Sequence, residues 1–204
     1  MTMLIHETFQ RTVQGEGYNA GLVVDFIRLG GCSVGCSWCD TGYSNQSVPD
    51  GLTRRSIASL VDELQSRTCV ISGGEPFQQA TLPLLVDAIF KSGRNVCIET
   101  SGDRWLDVDP RCWITFSPKA HLKISEPDVR FWNRANEIKI VISSIDDIEF
   151  YKNKGYLEKS ACPIYLQAEW EKRETIIPLI IKSIPNINTE IRLSVQTHKL
   201  IGVR

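Results

Sequence analysis

The sequence predicts an α/β fold, an incomplete and open TIM-like barrel of parallel strands with few helices, forming a single domain over residues 1–204. Three observations carry this reading. Short apolar runs rich in β-branched residues recur along the chain, as buried parallel strands do. Stretches with helical apolar spacing lie between several of them, which is the pattern of βα units around a parallel sheet. The 204 residues fall short of the ~250 typical of a closed eight-unit barrel.

In chain order, the first strand is LVVDFIRL (22–29). A helix follows in RRSIASLVDELQS, where Ile57, Leu60, Val61 and Leu64 share one face and Thr53 is the expected N-cap. CVIS (69–72) is the second strand, and LPLLVDAIFKSG the next helix, stopped by Gly93. NVCIET (95–100), WITFS (113–117) and EIKIVIS (137–143) continue the sheet. DIEFYKNKG reads as a helix, PIYLQ (163–167) as a strand, ETIIPLIIKSIP as a helix interrupted at Pro178, and IRLSVQ (191–196) as the last strand. In such sheets ligands bind beyond the carboxyl ends of the strands. The polar motifs GGCSVGCSWCDT, SGGEP, ETSG, SPKA and QAEW all follow strands, so they gather at that end.

Composition bounds the function. Apolar residues make up 42% and charged residues 23%, with a net charge of −1, which gives no basic footprint for a nucleic-acid backbone. No apolar stretch reaches the ~18–20 residues that cross a bilayer, and MTMLIHETFQ has no signal-peptide pattern. A reducing, cytoplasmic setting is therefore expected, in which clustered cysteines serve metals or catalysis rather than disulfides. Cys69, Cys97, Cys112 and Cys162 each border or lie in apolar runs and read as small core hydrophobes.

Cys32, Cys36 and Cys39 differ, since their four- and three-residue spacing can converge three thiolates on one centre. A structural zinc site asks for four protein ligands, and no second cysteine pair follows. Asp40 as a fourth ligand would be strained by adjacency, although a zinc-binding interaction module on these four residues remains an alternative. A four-iron cluster with three thiolates keeps one iron open for a small molecule, which suits chemistry.

The run C-x-x-x-C-x-W-C, followed one unit later by Gly73-Gly74-Glu75-Pro76, resembles the cluster motif and cofactor loop of the radical S-adenosylmethionine superfamily. That resemblance implies a [4Fe-4S] cluster on Cys32, Cys36 and Cys39 whose open iron is chelated by S-adenosylmethionine, the source of a 5′-deoxyadenosyl radical. FQRTVQGEGYNAG, CDT, SPKA, NEIKIVI and LSVQTHK, in that order, resemble the 7-carboxy-7-deazaguanine synthase family over nearly the whole chain. A glycyl-radical activase would share the cysteines but leaves QGEG and QTHK unexplained.

The family resemblance implies conversion of 6-carboxy-5,6,7,8-tetrahydropterin to 7-carboxy-7-deazaguanine with loss of ammonia, in queuosine or other 7-deazapurine synthesis. It implies Mg2+ at Thr41, and cofactor contacts at Gly74, Ser117, Pro118, Lys119, Gln167, Ala168, Glu169 and Trp170. Val13, Gln14, Gly15, Arg28, Ser72, Glu99, His198 and Arg204 are the implied substrate contacts, with Arg28 suited to a carboxylate. Ser72 stands where the family often has Thr, and Arg204 where some members have Pro. A homodimer and a flavodoxin- or ferredoxin-type reductant complete the expectation.

Overall fold

The structure is a computed structural model that describes residues 1–42, 50–122, 126–158, 161–184 and 190–204. Its centre is a nine-stranded sheet in the order β3-β1-β2-β4-β5-β6-β7-β8-β9. All seven strands read from the sequence are present, as β2 (Val23–Leu29), β4 (Thr68–Gly73), β5 (Asn95–Thr100), β6 (Trp113–Phe116), β7 (Glu137–Ile142), β8 (Ile164–Ala168) and β9 (Ile191–Ser194). They pair in parallel from β2 to β9. Neither end strand, β3 nor β9, pairs with the other, so the sheet is open.

Two strands were not anticipated. β1 (Thr2–Val13) pairs antiparallel with β2, and β3 (Thr53–Ser56) antiparallel with β1. β1 mixes polar and apolar residues and carries two register shifts, while β3 reads TRRS with no apolar residue. This corrects the capping assignment for α1 (Ile57–Asp62). Thr53 lies in β3, and Ser56 is the N-cap, its hydroxyl accepting from the Ser59 amide at 3.1 Å.

The other helices are α2 (Leu82–Lys91), α3 (Arg130–Arg134), α4 (Ile145–Asn153), α5 (Arg173–Ser183) and α6 (Thr197–Ile201). α5 runs through Pro178 rather than stopping there, while Ile176 and Ile180 are buried. Pro178 is exposed, so the Glu174 carbonyl it leaves unpaired, in the exposed first turn, can turn to water. The predicted end of this helix, at Pro185, lies outside the described residues.

Side chains alternate across the sheet. Ile27, Leu29, Cys69, Ile71, Ile98, Ile114, Ile138, Ile140 and Leu166 join the main core with residues of α1, α2 and α5. The alternate positions make a small second cluster of Phe9, Val24, Phe26, Val70 and Cys97. Further along the strands that face turns polar, with Arg28, Ser72, Glu99, Lys139 and Gln167 lining one cleft.

Candidate active site

The cysteine loop leaves β2 and is fixed against the exit of β4. The Gly74 amide donates to the Leu29 carbonyl at 2.7 Å, and the Glu75 amide to Gly31 at 2.8 Å. A Cβ on Gly74 would lie 1.9 Å from the Gly31 carbonyl oxygen, and one on Gly73, where φ is +106°, would lie 2.4 Å from the Leu29 backbone nitrogen. The two glycines are thus required by the approach of one backbone to another.

Glu75 is buried and faces inward. It accepts from the Thr100 hydroxyl at 2.6 Å, the Ser101 amide at 2.7 Å and the Ser101 hydroxyl at 2.6 Å. Burial raises its pKa above the usual carboxylate range against those bonds. On the far side of the loop, the Gln78 amide donates to the Ser33 hydroxyl at 2.6 Å and to Asp103 at 2.5 Å.

Cys32, Cys36 and Cys39 are free and line the cleft. Burial pushes the Cys36 thiol up to about 11, opposed by the nearby Lys119 ammonium and reinforced by the other two sulfurs. Burial also raises Cys32. Metal centres bind thiolates, so a centre held here would displace these protons. Among the described residues no group of three or more His, Cys, Asp or Glu side chains is drawn around a single-ion site. Three free thiols lining one cleft are the donors that a [4Fe-4S] cluster with one open iron would take.

A chain of polar contacts links further residues that line the cleft. The Gln14 amide donates to Glu99 Oε1 at 2.7 Å, and Lys139 Nζ donates to Glu99 Oε2 at 3.0 Å and also to Glu16. Gln196 Nε2 donates to Glu16 Oε1 at 2.7 Å and to Asp40 at 3.1 Å, and Lys199 reaches Asp40 at 3.0 Å. Burial alone would raise Glu16, but Lys139 outweighs it and holds the carboxylate at about 2. Burial likewise opposes the charge on Lys139, yet Glu16 and Glu99 raise its pKa well above the usual range.

Also lining the cleft, Arg28 pairs with Glu7 at 2.9 Å and lies over the Phe9 ring at 5.2 Å. Arg204 takes the other Glu7 oxygen at 2.7 Å and lies over the same ring at 5.5 Å. Ser72 is the register partner of Arg28 on β4. Val13, Thr41 and His198 also line the cleft. Gly15 does not, because it packs behind His198. A Cβ there would sit 2.0 Å from the imidazole Nδ1, and the Gly15 carbonyl accepts from the Thr197 amide at 2.9 Å.

Ser117 and Lys119 line the cleft, with Lys119 Nζ donating to the Ser117 hydroxyl at 2.5 Å and lying 5.3 Å over the Trp38 ring. Burial pulls the Lys119 pKa down. Pro118 is turned away, its carbonyl accepting from the buried Tyr151 hydroxyl at 2.8 Å. Gln167 reaches the cleft, and with Ala168, Glu169 and Trp170 it forms an adjoining recess closed by Trp38 and Gln196. The sequence motifs contained Glu16, Lys139 and Gln196 but assigned them no role. The signal available was the period-2 alternation in NEIKIVI, which puts Lys139 on the polar face.

The radical SAM superfamily model matches residues 26–109. Proteins named 7-carboxy-7-deazaguanine synthase match almost end to end. That of Synechocystis sp. is 36% identical over 98% of this chain and 93% of its own length, and that of Escherichia coli 34% identical over 98% of both. The Flavobacterium psychrophilum protein is 32% identical over 94% of this chain and 89% of its own. The crystal structure of QueE from Escherichia coli superposes with a TM-score of 0.78 at 32% identity, covering 96% of this chain and 94% of that one. The chain belongs to the 7-carboxy-7-deazaguanine synthase family.

Membership makes it a radical S-adenosylmethionine enzyme with a [4Fe-4S] cluster and a small-molecule substrate. The activase and zinc-module alternatives are not favoured, since 7-carboxy-7-deazaguanine synthases match through both QGEG and QTHK. No described helix is long and apolar enough to cross a membrane.

Proposed function

We propose that the chain converts 6-carboxy-5,6,7,8-tetrahydropterin to 7-carboxy-7-deazaguanine with loss of ammonia, for queuosine or a related 7-deazapurine. One observation carries the reading. One cleft is lined by three cysteine thiols, by Arg28 and Arg204, and by the hydrogen-bonded amide–carboxylate pair of Gln14 and Glu99. That combination complements a flat pterin carrying one carboxylate.

In this reading Arg28 and Arg204 take the substrate carboxylate, releasing part of their hold on Glu7. Gln14 and Glu99 offer acceptors and a donor to the aminopyrimidinone edge. Val13 packs on the ring, Ser72 and His198 add polar contacts, and Gly15 acts by admitting His198. Cys32, Cys36 and Cys39 would hold the cluster. Gly74, Ser117, Pro118, Lys119 and the Gln167, Ala168, Glu169 and Trp170 recess would hold S-adenosylmethionine, with Pro118 acting through the backbone bend. When bound, these groups supply one-electron chemistry that removes hydrogen from C6 of the pterin. Thr41 would give its hydroxyl to Mg2+, whose remaining positions go to substrate oxygens and water. A cytoplasmic homodimer fed by a flavodoxin- or ferredoxin-type donor completes the proposal.

The test is anaerobic reconstitution with iron and sulfide, then reductant, S-adenosylmethionine, Mg2+ and the carboxypterin, with products read by mass. Loss of ammonia from the pterin at catalytic cofactor supports the reading. One zinc per chain without labile sulfide, or unchanged pterin, overturns it.

A further inference from the structure

Lys139 is the least exposed basic residue lining the cleft, at 3%. It sits in β7, two strands from Glu99 in the sheet order, and its ammonium spans Glu99 and the Glu16 of the loop after β1. A lysine is seldom buried unless paired, and here it is the ammonium that both carboxylates share. We propose that Lys139 is a positioning residue for substrate binding, which fixes the Glu99 carboxylate, and through it Gln14, against the pterin. This rests on the pterin reading above.

The geometry separates orientation from other roles. Glu99 is held by one donor on each oxygen, Gln14 on Oε1 and Lys139 on Oε2, so the plane of the carboxylate is set while its other lone pairs stay free. Gln14 is set in turn, since its Oε1 accepts from the Glu16 amide at 3.2 Å while its amide nitrogen donates to Glu99. Without the ammonium, Glu16 and Glu99 would be two carboxylates lining one cleft. One would take up a proton or swing away. Two carboxylates keep Lys139 charged, so it is no source of the proton that departs with ammonia. Among the described residues its ammonium hydrogen-bonds Glu16 and Glu99 and neither the cysteines nor the 167–170 recess, so its loss is expected to spare the cofactor.

The experiment compares reconstituted wild type, Lys139→Met, Lys139→Arg and Lys139→Met with Glu16→Gln. Iron content, Tm, KM for S-adenosylmethionine, kcat, KM for the carboxypterin, and pterin affinity by fluorescence without reductant are measured. Lys139→Met should load iron normally, leave the S-adenosylmethionine KM within about twofold, and raise pterin Kd and KM by about 10- to 100-fold, with a smaller fall in kcat. Lys139→Arg should recover part of the affinity. The double variant relieves the excess negative charge, so it keeps the test open if the single variant folds poorly. It should still bind pterin weakly, because Glu99 remains unanchored. Pterin affinity restored in the double variant, or unmoved in a folded single variant, overturns the role. Pterin and S-adenosylmethionine constants that rise together also overturn it. Wild type that leaves the carboxypterin unconverted overturns the substrate reading itself, and the Lys139 role with it.

Discussion

Arg28 shows how far a single side chain can be read. Its place at the end of an apolar strand, four residues before Cys32, marked it as a cleft residue, and the structure puts it there. What the sequence did not carry was its partner, because Glu7 comes from the unforeseen β1. The Arg28 side chain is 26% exposed and already paired, so its loss is softer than that of a fully buried ion. Arg28→Ala should raise the carboxypterin KM by about 10- to 100-fold, the range of one charge-assisted contact. Arg28→Lys should recover only part, since an ammonium makes no two-pronged contact, and cofactor affinity should hold. Loss of cofactor affinity with pterin affinity intact would assign the residue to the other ligand. Thr41 separates in the same way. Thr41→Ala should weaken Mg2+ dependence at unchanged cluster absorbance, and Thr41→Ser should be mild. Equal behaviour of the two would remove the hydroxyl from the metal's ligands. Lys139 and Glu16 escaped the sequence reading for one reason. A charged residue inside an apolar strand or a turn motif shows its partner only once distant strands are adjacent.

The strands legible in the sequence, the edge strand β9 apart, were those buried on both faces along most of their length, whose apolar runs are nearly continuous. β1 and β3 lack that signature, since they extend the sheet as an antiparallel flank with a polar outer edge. The loop motifs were legible as chemistry but not as carpentry. Gly74 was assigned to cofactor binding, yet its first requirement is to let β4 meet the cysteine loop at Gly31. Gly74→Ala should therefore lower iron loading after reconstitution by more than half, with far-UV circular dichroism unchanged, and normal loading would refute the steric argument. At the opposite end of β2, buried Asp25 accepts from the amides of Arg11, Gln65 and Ser66 and from the Ser66 hydroxyl, tying β1 and the turn after α1 to the strand. Burial opposes its charge, but these donors, Ser66 foremost, bring its pKa below the usual value. A depressed carboxylate stabilises the fold above its unfolded pKa of about 3.9 and loses that contribution as pH falls through the folded value. The wild-type urea midpoint should thus drop between pH 5 and pH 3 more steeply than that of Asp25→Asn, which should be less stable at pH 7. Parallel curves would show that Asp25 adds nothing pH-dependent.

The sheet is not closed by strand pairing, so its open side must be held by loops. The segment after β9 does this. Thr197 donates amide and hydroxyl to the Gly15 carbonyl at 2.9 and 3.1 Å, while Gln196 and Lys199 reach Glu16 and Asp40. QGEG, CDT and QTHK are far apart in sequence yet form one joint, which explains why three motifs were recognisable together without any one disclosing the others. Gly15 is where the joint is tightest, because a Cβ there would meet the His198 imidazole at 2.0 Å and the His198 backbone nitrogen at 2.7 Å. The ring can rotate, but the backbone can move only by parting the two segments. Gly15→Ala should cost about 1–3 kcal/mol, the usual price of overpacking, and lower Tm by about 2–4 °C for each. It should also raise the carboxypterin KM several-fold, since Gln14 and His198 flank the break. His198→Ala in the Gly15→Ala background should return less than half of the lost stability, because the backbone contact persists. Full recovery on removing the imidazole would show that only the ring was in the way, and that the joint itself bears little of the fold.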